Sequence, residues 1–238
     1  MKYFSIALII FSINLSAGCT LNPKPENMLH YLVREPLVKS STPPLVLLMH
    51  GFGSNEADLF SFANLLPKNF LVVSVRGPYT LSENSYMWYQ ADFTKETPII
   101  NKEQAESSRQ EILHFITQLK TKYAFDETQV YLVGFSQGAI MAYSLGLTEP
   151  KQFKGIAAMS GRILNEIKPM VATKEKLKGL KIFISHGTND LVIKINHARD
   201  SKVFLESQSI HPSYKEYLAG HTISHEMITD LNTWLGLK

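Results

Sequence analysis

The chain has 238 residues, 45% of them hydrophobic and 19% charged. That suffices for one compact domain with a sizeable core and lies far from a disordered composition. Its net charge of +3 is spread along the sequence, without the massed basic residues that nucleic-acid binding demands.

The N-terminus reads as an export signal. Met1-Lys2 is followed by an apolar run from Tyr3 to Leu15 and then by Ser16-Ala17-Gly18-Cys19. A positive start, a short apolar stretch and small residues before a cut describe a secretory signal peptide over residues 1–18. The run is too short for a bilayer-spanning helix, which needs about 20 apolar residues. The ending Leu15-Ser16-Ala17-Gly18-Cys19 resembles a bacterial lipoprotein signal. The resemblance implies that Cys19, the one cysteine of the chain, is lipidated and anchors the mature protein to a membrane. Thr20 rather than aspartate follows it, which points to the outer membrane, periplasmic side. An ordinary signal peptide, giving a soluble periplasmic or secreted protein, and an extra N-terminal strand remain the alternatives. With a single cysteine an intrachain disulfide is excluded.

Residues 19–27, with Pro23, Pro25 and Asn22, read as a tether. Beyond it, residues 28–238 alternate strand-like and helix-like stretches, the pattern of a mostly parallel sheet with helices on both faces. Strands are predicted at Leu29–Arg34, Leu45–His50, Phe70–Arg76, Val130–Phe135, Gly155–Ser160, Lys181–His186 and Ser213–Leu218. The middle ones are nearly continuous apolar runs, as strands buried on both faces require. Between them, helices are predicted over Asn55–Leu66 and over Glu103–Tyr123, where Ile112, Phe115, Ile116, Leu119 and Tyr123 make a stripe of helical period. Met227, Leu231, Trp234 and Leu235 repeat that spacing in a last helix. One connection is long: Pro78 to Asn101, carrying Tyr79, Tyr86, Trp88, Tyr89 and Phe93. Its aromatics argue for an ordered, functional loop, with Trp88 and Tyr89 as candidates for the substrate pocket.

The strongest chemical signal is Gly134-Phe135-Ser136-Gln137-Gly138, between the run Val130–Val133 and the helix-forming Ala139–Ala142. Strand, Gly-x-Ser-x-Gly, helix is a nucleophile elbow. The turn is so tight that side chains at 134 and 138 would strike neighbouring backbone. The Ser136 hydroxyl then stands at a helix N-terminus, where N–H groups stabilise developing negative charge.

A nucleophilic serine needs a base, and the base an orienting carboxylate. In an elbow-type sheet the chain order is Ser, then Asp or Glu, then His. Asp190 follows the strand Lys181–His186, and His221 follows Ser213–Leu218. All three residues therefore end strands at one carboxyl edge, where open α/β sheets bind ligands. His225 is the competing base, but it fits the first turn of the last helix. Asp200, Glu226 and Asp230 fall inside predicted helices, where solvation is the ordinary role of a carboxylate. His186 is read as a buttress of the Asp190 loop. His30, His114, His197 and His211 have no partner pattern. For the oxyanion, the backbone N–H of Gln137 is one donor. The N–H of Phe52, in His50-Gly51-Phe52-Gly53 after the strand Leu45–Met49, is the second. No metal or nucleotide-cofactor motif is present, so no metal site and no cofactor are expected.

Five segments in this order, His50-Gly51-Phe52-Gly53-Ser54-Asn55-Glu56 (preceded by Leu48-Met49), Arg76-Gly77-Pro78, Gly134 to Gly138, His186 to Asp190 and Gly220-His221, resemble the phospholipase/carboxylesterase family. That family includes bacterial carboxylesterases and acyl-protein thioesterases. The resemblance runs from about Leu29 to Leu237. It implies an α/β-hydrolase fold without a large cap domain, a Ser136–Asp190–His221 triad and oxyanion donors at Phe52 and Gln137. Apolar lining by Trp88 and its neighbours points to short- to medium-chain or aromatic carboxylic esters, with lysophospholipase or acyl-thioesterase activity as the alternative. A prolyl-oligopeptidase-type peptidase shares fold and triad but usually carries an added gating domain. Gly77 departs from the family, where alanine is commoner, and little effect is expected from it.

Overall fold

The computed structural model describes residues 28–92 and 98–236. The expected signal segment, Cys19, the tether through residue 27 and Phe93 lie outside the described residues.

The chain enters through β1 (Tyr31–Arg34) and β2 (Leu45–Met49), then passes through α1 (Glu56–Phe60) to β3 (Leu71–Val75). The expected long loop contains two small hairpins: β4 (Tyr79–Ser82) pairs with β5 (Ser85–Met87), and β6 (Ala91–Asp92) with β7 (Ile99–Ile100). There follow α2 (Lys102–Leu119), β8 (Val130–Phe135), α3 (Gln137–Thr148), β9 (Gly155–Met159) and α4 (Lys174–Leu177). The chain ends with β10 (Lys181–Gly187), α5 (Ile195–Ser207), β11 (Ser213–Tyr217) and α6 (His225–Leu235).

Seven strands form the main sheet in the order β1-β3-β2-β8-β9-β10-β11. Only β1 runs antiparallel; the other pairs are parallel. This is the α/β-hydrolase arrangement. All seven strands predicted from the sequence are present, with ends shifted by a residue or two. The expected helix over Asn55–Leu66 is shorter: α1 stops at Phe60, and a separate 3₁₀ turn covers Ala63–Leu65. The helix expected to reach Tyr123 ends at Leu119.

The apolar runs are continuous because both faces of the sheet are covered. Leu45, Leu47, Met49, Leu132 and Ile184 pack on one side with α2, α3 and α5, through Ile112, Phe115, Tyr143 and Leu205. Val46, Leu48, Val133 and Phe183 turn to the other side, against Leu59 of α1 and Ile228, Leu231 and Leu235 of α6. Period-two alternation thus feeds two cores. α3 is buried from Gln137 through Leu147, so the helix that begins at Ser136 is fixed within the first core.

Strand order also creates the site. From β2 the sheet grows toward β3 on one side and toward β8 on the other. Such a reversal leaves a crevice beyond the carboxyl ends of the two strands, the usual ligand position in this architecture. β2 delivers His50 to Phe52 there, and β8 delivers Ser136.

Candidate active site

Ser136 has φ 52° and ψ −116°, a conformation that costs an L-residue about 1–3 kcal/mol. The packing around it enforces the turn. A Cβ at Gly134 would lie 2.2 Å from the Gly138 carbonyl oxygen, and one at Gly138 would lie 2.0 Å from that of Met49. These are the backbone collisions expected from the sequence. Ser136 N–H donates to the Met159 carbonyl at 2.9 Å, which ties the elbow to β9.

The Ser136 Oγ is 2.9 Å from Nε2 of His221, and Nδ1 of His221 is 2.7 Å from Oδ2 of Asp190. Both are hydrogen-bonding distances. Asp190 is buried, and its other oxygen accepts N–H bonds from Val192 and Ile193 at 2.9 and 2.8 Å. The two loops carrying the acid and the imidazole are stitched together. Thr188 N–H donates to Tyr217 O, and Asn189 N–H to Ala219 O. Gly187 permits this approach, because a Cβ there would sit 2.3 Å from the Ala219 oxygen. The His221 ring lies against Phe135, with centroids 4.8 Å apart.

His225, the competing base, is the exposed first residue of α6, with Ser224 as the cap that accepts from Met227 N–H. Asp200, Glu226 and Asp230 do lie in helices; Asp230 accepts from Lys215 and Tyr217. His186 sits under the acid as anticipated. Its Nε2 is 2.6 Å from the Ile193 carbonyl and 3.3 Å from Asp190 Oδ2. A carbonyl only accepts, so Nε2 carries the proton. Burial pushes the His186 pKa below its ordinary value, which keeps that imidazole neutral.

The expectation that Trp88 and Tyr89 line the substrate pocket is corrected. Both side chains are fully buried, at 0% and 2% exposure, and present no surface to a ligand. They hold the site together instead. Trp88 Nε1 donates to the His50 carbonyl at 2.9 Å. The Gln137 side chain accepts from Trp88 N–H at 2.8 Å and donates to Tyr89 O at 2.7 Å. Gln137 stood out in the sequence for its backbone N–H alone; its side chain fastens the long connection to the elbow. A surface cleft among the described residues lies beside Phe52, has a volume of about 620 Å³ and is lined by Leu81, Met87, Ile99, Ile100 and Glu103 among others.

The segment Arg76-Gly77-Pro78 is also structural. Arg76 forms a two-pronged ion pair with Glu56 and covers the Tyr86 ring at 4.3 Å. The pair holds the Glu56 carboxyl below its ordinary pKa. Little effect was expected from the glycine at 77, yet a Cβ there would meet the Met87 carbonyl oxygen at 2.6 Å. Glycine lets the β5 end of the connection close on this segment.

A profile of the phospholipase/carboxylesterase family matches residues 33–237. The chain belongs to that family. This family hydrolase is a serine hydrolase acting on carboxylic ester bonds. It is 26% identical to acyl-protein thioesterase 1 of Kluyveromyces lactis, over 80% of this chain and 90% of that one. Carboxylesterase SOBER1 of Arabidopsis thaliana is 24% identical, over 80% and 88%. A probable SOBER1-like carboxylesterase of the same plant is 29% identical over a shorter stretch, 52% of this chain and 47% of that one. Among solved structures, the Bacillus cereus carboxylesterase superposes with a TM-score of 0.75 at 24% identity, over 87% and 93% of the two chains. Esterase PE8 superposes with a TM-score of 0.74 at 25% identity, over 88% and 98%. Among the described residues of the hydrolase there is no group of three His, Cys, Asp or Glu that could hold a metal, and no helix is long and apolar enough to cross a membrane.

Proposed function

We propose that the protein is a carboxylesterase that hydrolyses short- to medium-chain or aromatic esters through an acyl-enzyme on Ser136. The observation carrying this reading is the continuous hydrogen-bond chain Ser136–His221–Asp190 beside the β2/β8 crevice. Nε2 of His221 takes the hydroxyl proton as Oγ bonds to the ester carbonyl carbon. The carbonyl π pair moves onto its oxygen, which accepts N–H bonds from Phe52 and Gln137. Asp190 stays ionised and offsets the imidazolium. The carbonyl then re-forms, the ester C–O bond breaks, and the alcohol leaves with the proton from His221. Water attacks the acyl-enzyme by the same route and releases the acid. The cleft beside Phe52, with apolar Leu81, Met87, Ile99 and Ile100, suits an acyl group of modest length.

Hydrolysis of acyl thioesters or lysophospholipids is the second reading, favoured by the likeness to an acyl-protein thioesterase over most of both chains. Both readings use the same three side chains. At the N-terminus, the pattern of residues 1–18 supports a lipoprotein-type signal, with Cys19 as the lipid attachment point and an outer-membrane location on the periplasmic side. Metabolic labelling with a radioactive fatty acid tests this; a Cys19→Ala variant labelled as well as the wild type rules it out.

For the enzyme, p-nitrophenyl esters of increasing chain length are compared with an acyl-CoA thioester and lysophosphatidylcholine. Ser136→Ala is expected to lower kcat by about 10⁴–10⁶-fold. Retention of most activity by that variant overturns the assignment. His221→Ala should be as damaging, and His225→Ala nearly silent; the reverse result transfers the base to His225.

A further inference from the structure

His50 ends β2 with its ring fully buried, and both ring nitrogens are committed. Nδ1 lies 2.7 Å from the Gly51 carbonyl oxygen. Gly77 N–H points at Nε2 at 2.9 Å. A carbonyl only accepts, so Nδ1 must carry the proton; an amide N–H only donates, so Nε2 must carry a lone pair. Two independent neighbours therefore select one neutral tautomer. Protonating the second nitrogen would set one N–H against another. The ring is clamped as well as paired: the His50 carbonyl accepts from Trp88 Nε1 at 2.9 Å, and the two rings lie 5.4 Å apart.

The Gly51 carbonyl is the other half of the peptide group that bears the Phe52 N–H. In a trans peptide the C=O and the following N–H point in opposite directions within one plane, and the described chain has no cis bond. Gripping that carbonyl therefore aims that N–H. Ser54 N–H also reaches Gly51 O, at 3.3 Å, so the oxygen is held from two sides. We infer that His50 is a positioning residue of the oxyanion site: its Nδ1–H holds the Gly51 carbonyl, and its Nε2, anchored on Gly77, fixes the ring that does so. This rests on the reading of Ser136 as the nucleophile. His50 acts through one peptide plane and touches no substrate.

The test uses the full chain and three substitutions with different hydrogen-bonding content. His50→Asn offers an amide nitrogen near the Nδ1 position and keeps the donor to Gly51. His50→Gln offers an oxygen near the Nε2 position and keeps only the acceptor for Gly77. His50→Leu keeps neither. Losing one oxyanion donor commonly costs about 10²–10³-fold in kcat, so His50→Leu is expected to fall in that range with KM changed less than about threefold. Labelling of Ser136 by a fluorophosphonate should slow in parallel. His50→Asn should recover at least about tenfold over His50→Leu, and His50→Gln should not, whichever of the two melts higher. Equal kcat for wild type and His50→Leu, or recovery by Gln and not Asn, overturns the inference. If His50→Leu fails to fold, the Asn–Gln comparison decides by the same criterion. Ring ¹⁵N spectra of the wild type are an independent check, since an Nε2–H tautomer at His50 would also overturn it. Wild type that is neither labelled at Ser136 nor impaired by Ser136→Ala removes the nucleophile reading itself; a labelled wild type with indifferent His50 variants removes only the positioning role.

Discussion

Nε2 of His186 stands 3.3 Å from Oδ2 of Asp190, the same oxygen that faces Nδ1 of His221 at 2.7 Å. Two imidazoles thus share one buried carboxylate. The nearer one leads on to Ser136; the farther one spends its proton chiefly on the Ile193 carbonyl, at 2.6 Å. That bond closes the loop from Asp190 to Ile193, whose own N–H groups hold the carboxylate from the opposite side.

Replacing His186 by Phe keeps most of the ring volume and removes the donor. The Ile193 carbonyl, in a half-buried residue, then loses its partner, a loss that costs less than the roughly 1–3 kcal/mol of a fully buried group. We expect a lower urea midpoint and a kcat reduced by roughly tenfold, with KM little changed, because the loop no longer fixes Asp190 beneath His221. Unaltered kcat in a folded His186→Phe would show that the Asp190 loop is held without this bond.

Asp190→Asn separates charge from shape. The amide oxygen can still accept from Val192 and Ile193 N–H, as Oδ1 does now, so the fold should lose little. The amide nitrogen would face His221 Nδ1 and impose the wrong tautomer on the base. A loss of about 10⁴-fold in kcat is expected, read from steady-state rates on a fast ester beside a thermal melt.

Gln137→Leu strips two buried hydrogen bonds at once, from Trp88 N–H and Tyr89 O. With about 1–3 kcal/mol for each unsatisfied group, a destabilisation of roughly 2–6 kcal/mol is expected in denaturant titrations. Gln137→Glu keeps the acceptor for Trp88 and should be the milder change at that bond. A Leu variant as stable as wild type would show that the connection is held elsewhere.

Acid should weaken the fold through His50 and His186. Burial is the largest cause lowering both, opposed on the first by the bond to the Gly51 carbonyl and then by Asp58 and Glu56, and on the second by the bond to the Ile193 carbonyl and then by Asp190. The unfolded chain gains protons at these residues as pH falls through about 6.5, while the folded imidazoles stay neutral. The unfolded state then binds more protons, so stability is full above that pH and declines below it, until the lowered folded values are passed. Tm should drop between about pH 7.5 and pH 5.5, and His186→Phe should show a shallower decline.

The sequence by itself determined the seven strands, the elbow at Ser136 and the order in which Ser136, Asp190 and His221 follow their strands. Those features are local: an apolar run, a glycine two residues either side of a serine, a loop after a strand. It also pointed to His221 over His225 through the placement of the last helix. Tertiary structure alone decided which strands are neighbours, and so that β2 and β8 flank the crevice. It turned Trp88 and Tyr89 inward, contrary to the reading of an aromatic-rich loop as a pocket wall. It gave the side chains of His50 and Gln137 partners 27 to 49 residues away. Residue type and spacing describe how apolar each position's surroundings must be. They carry no record of which distant carbonyl or amide will complete a hydrogen bond, because that depends on how separate elements stack once both faces of the sheet are covered.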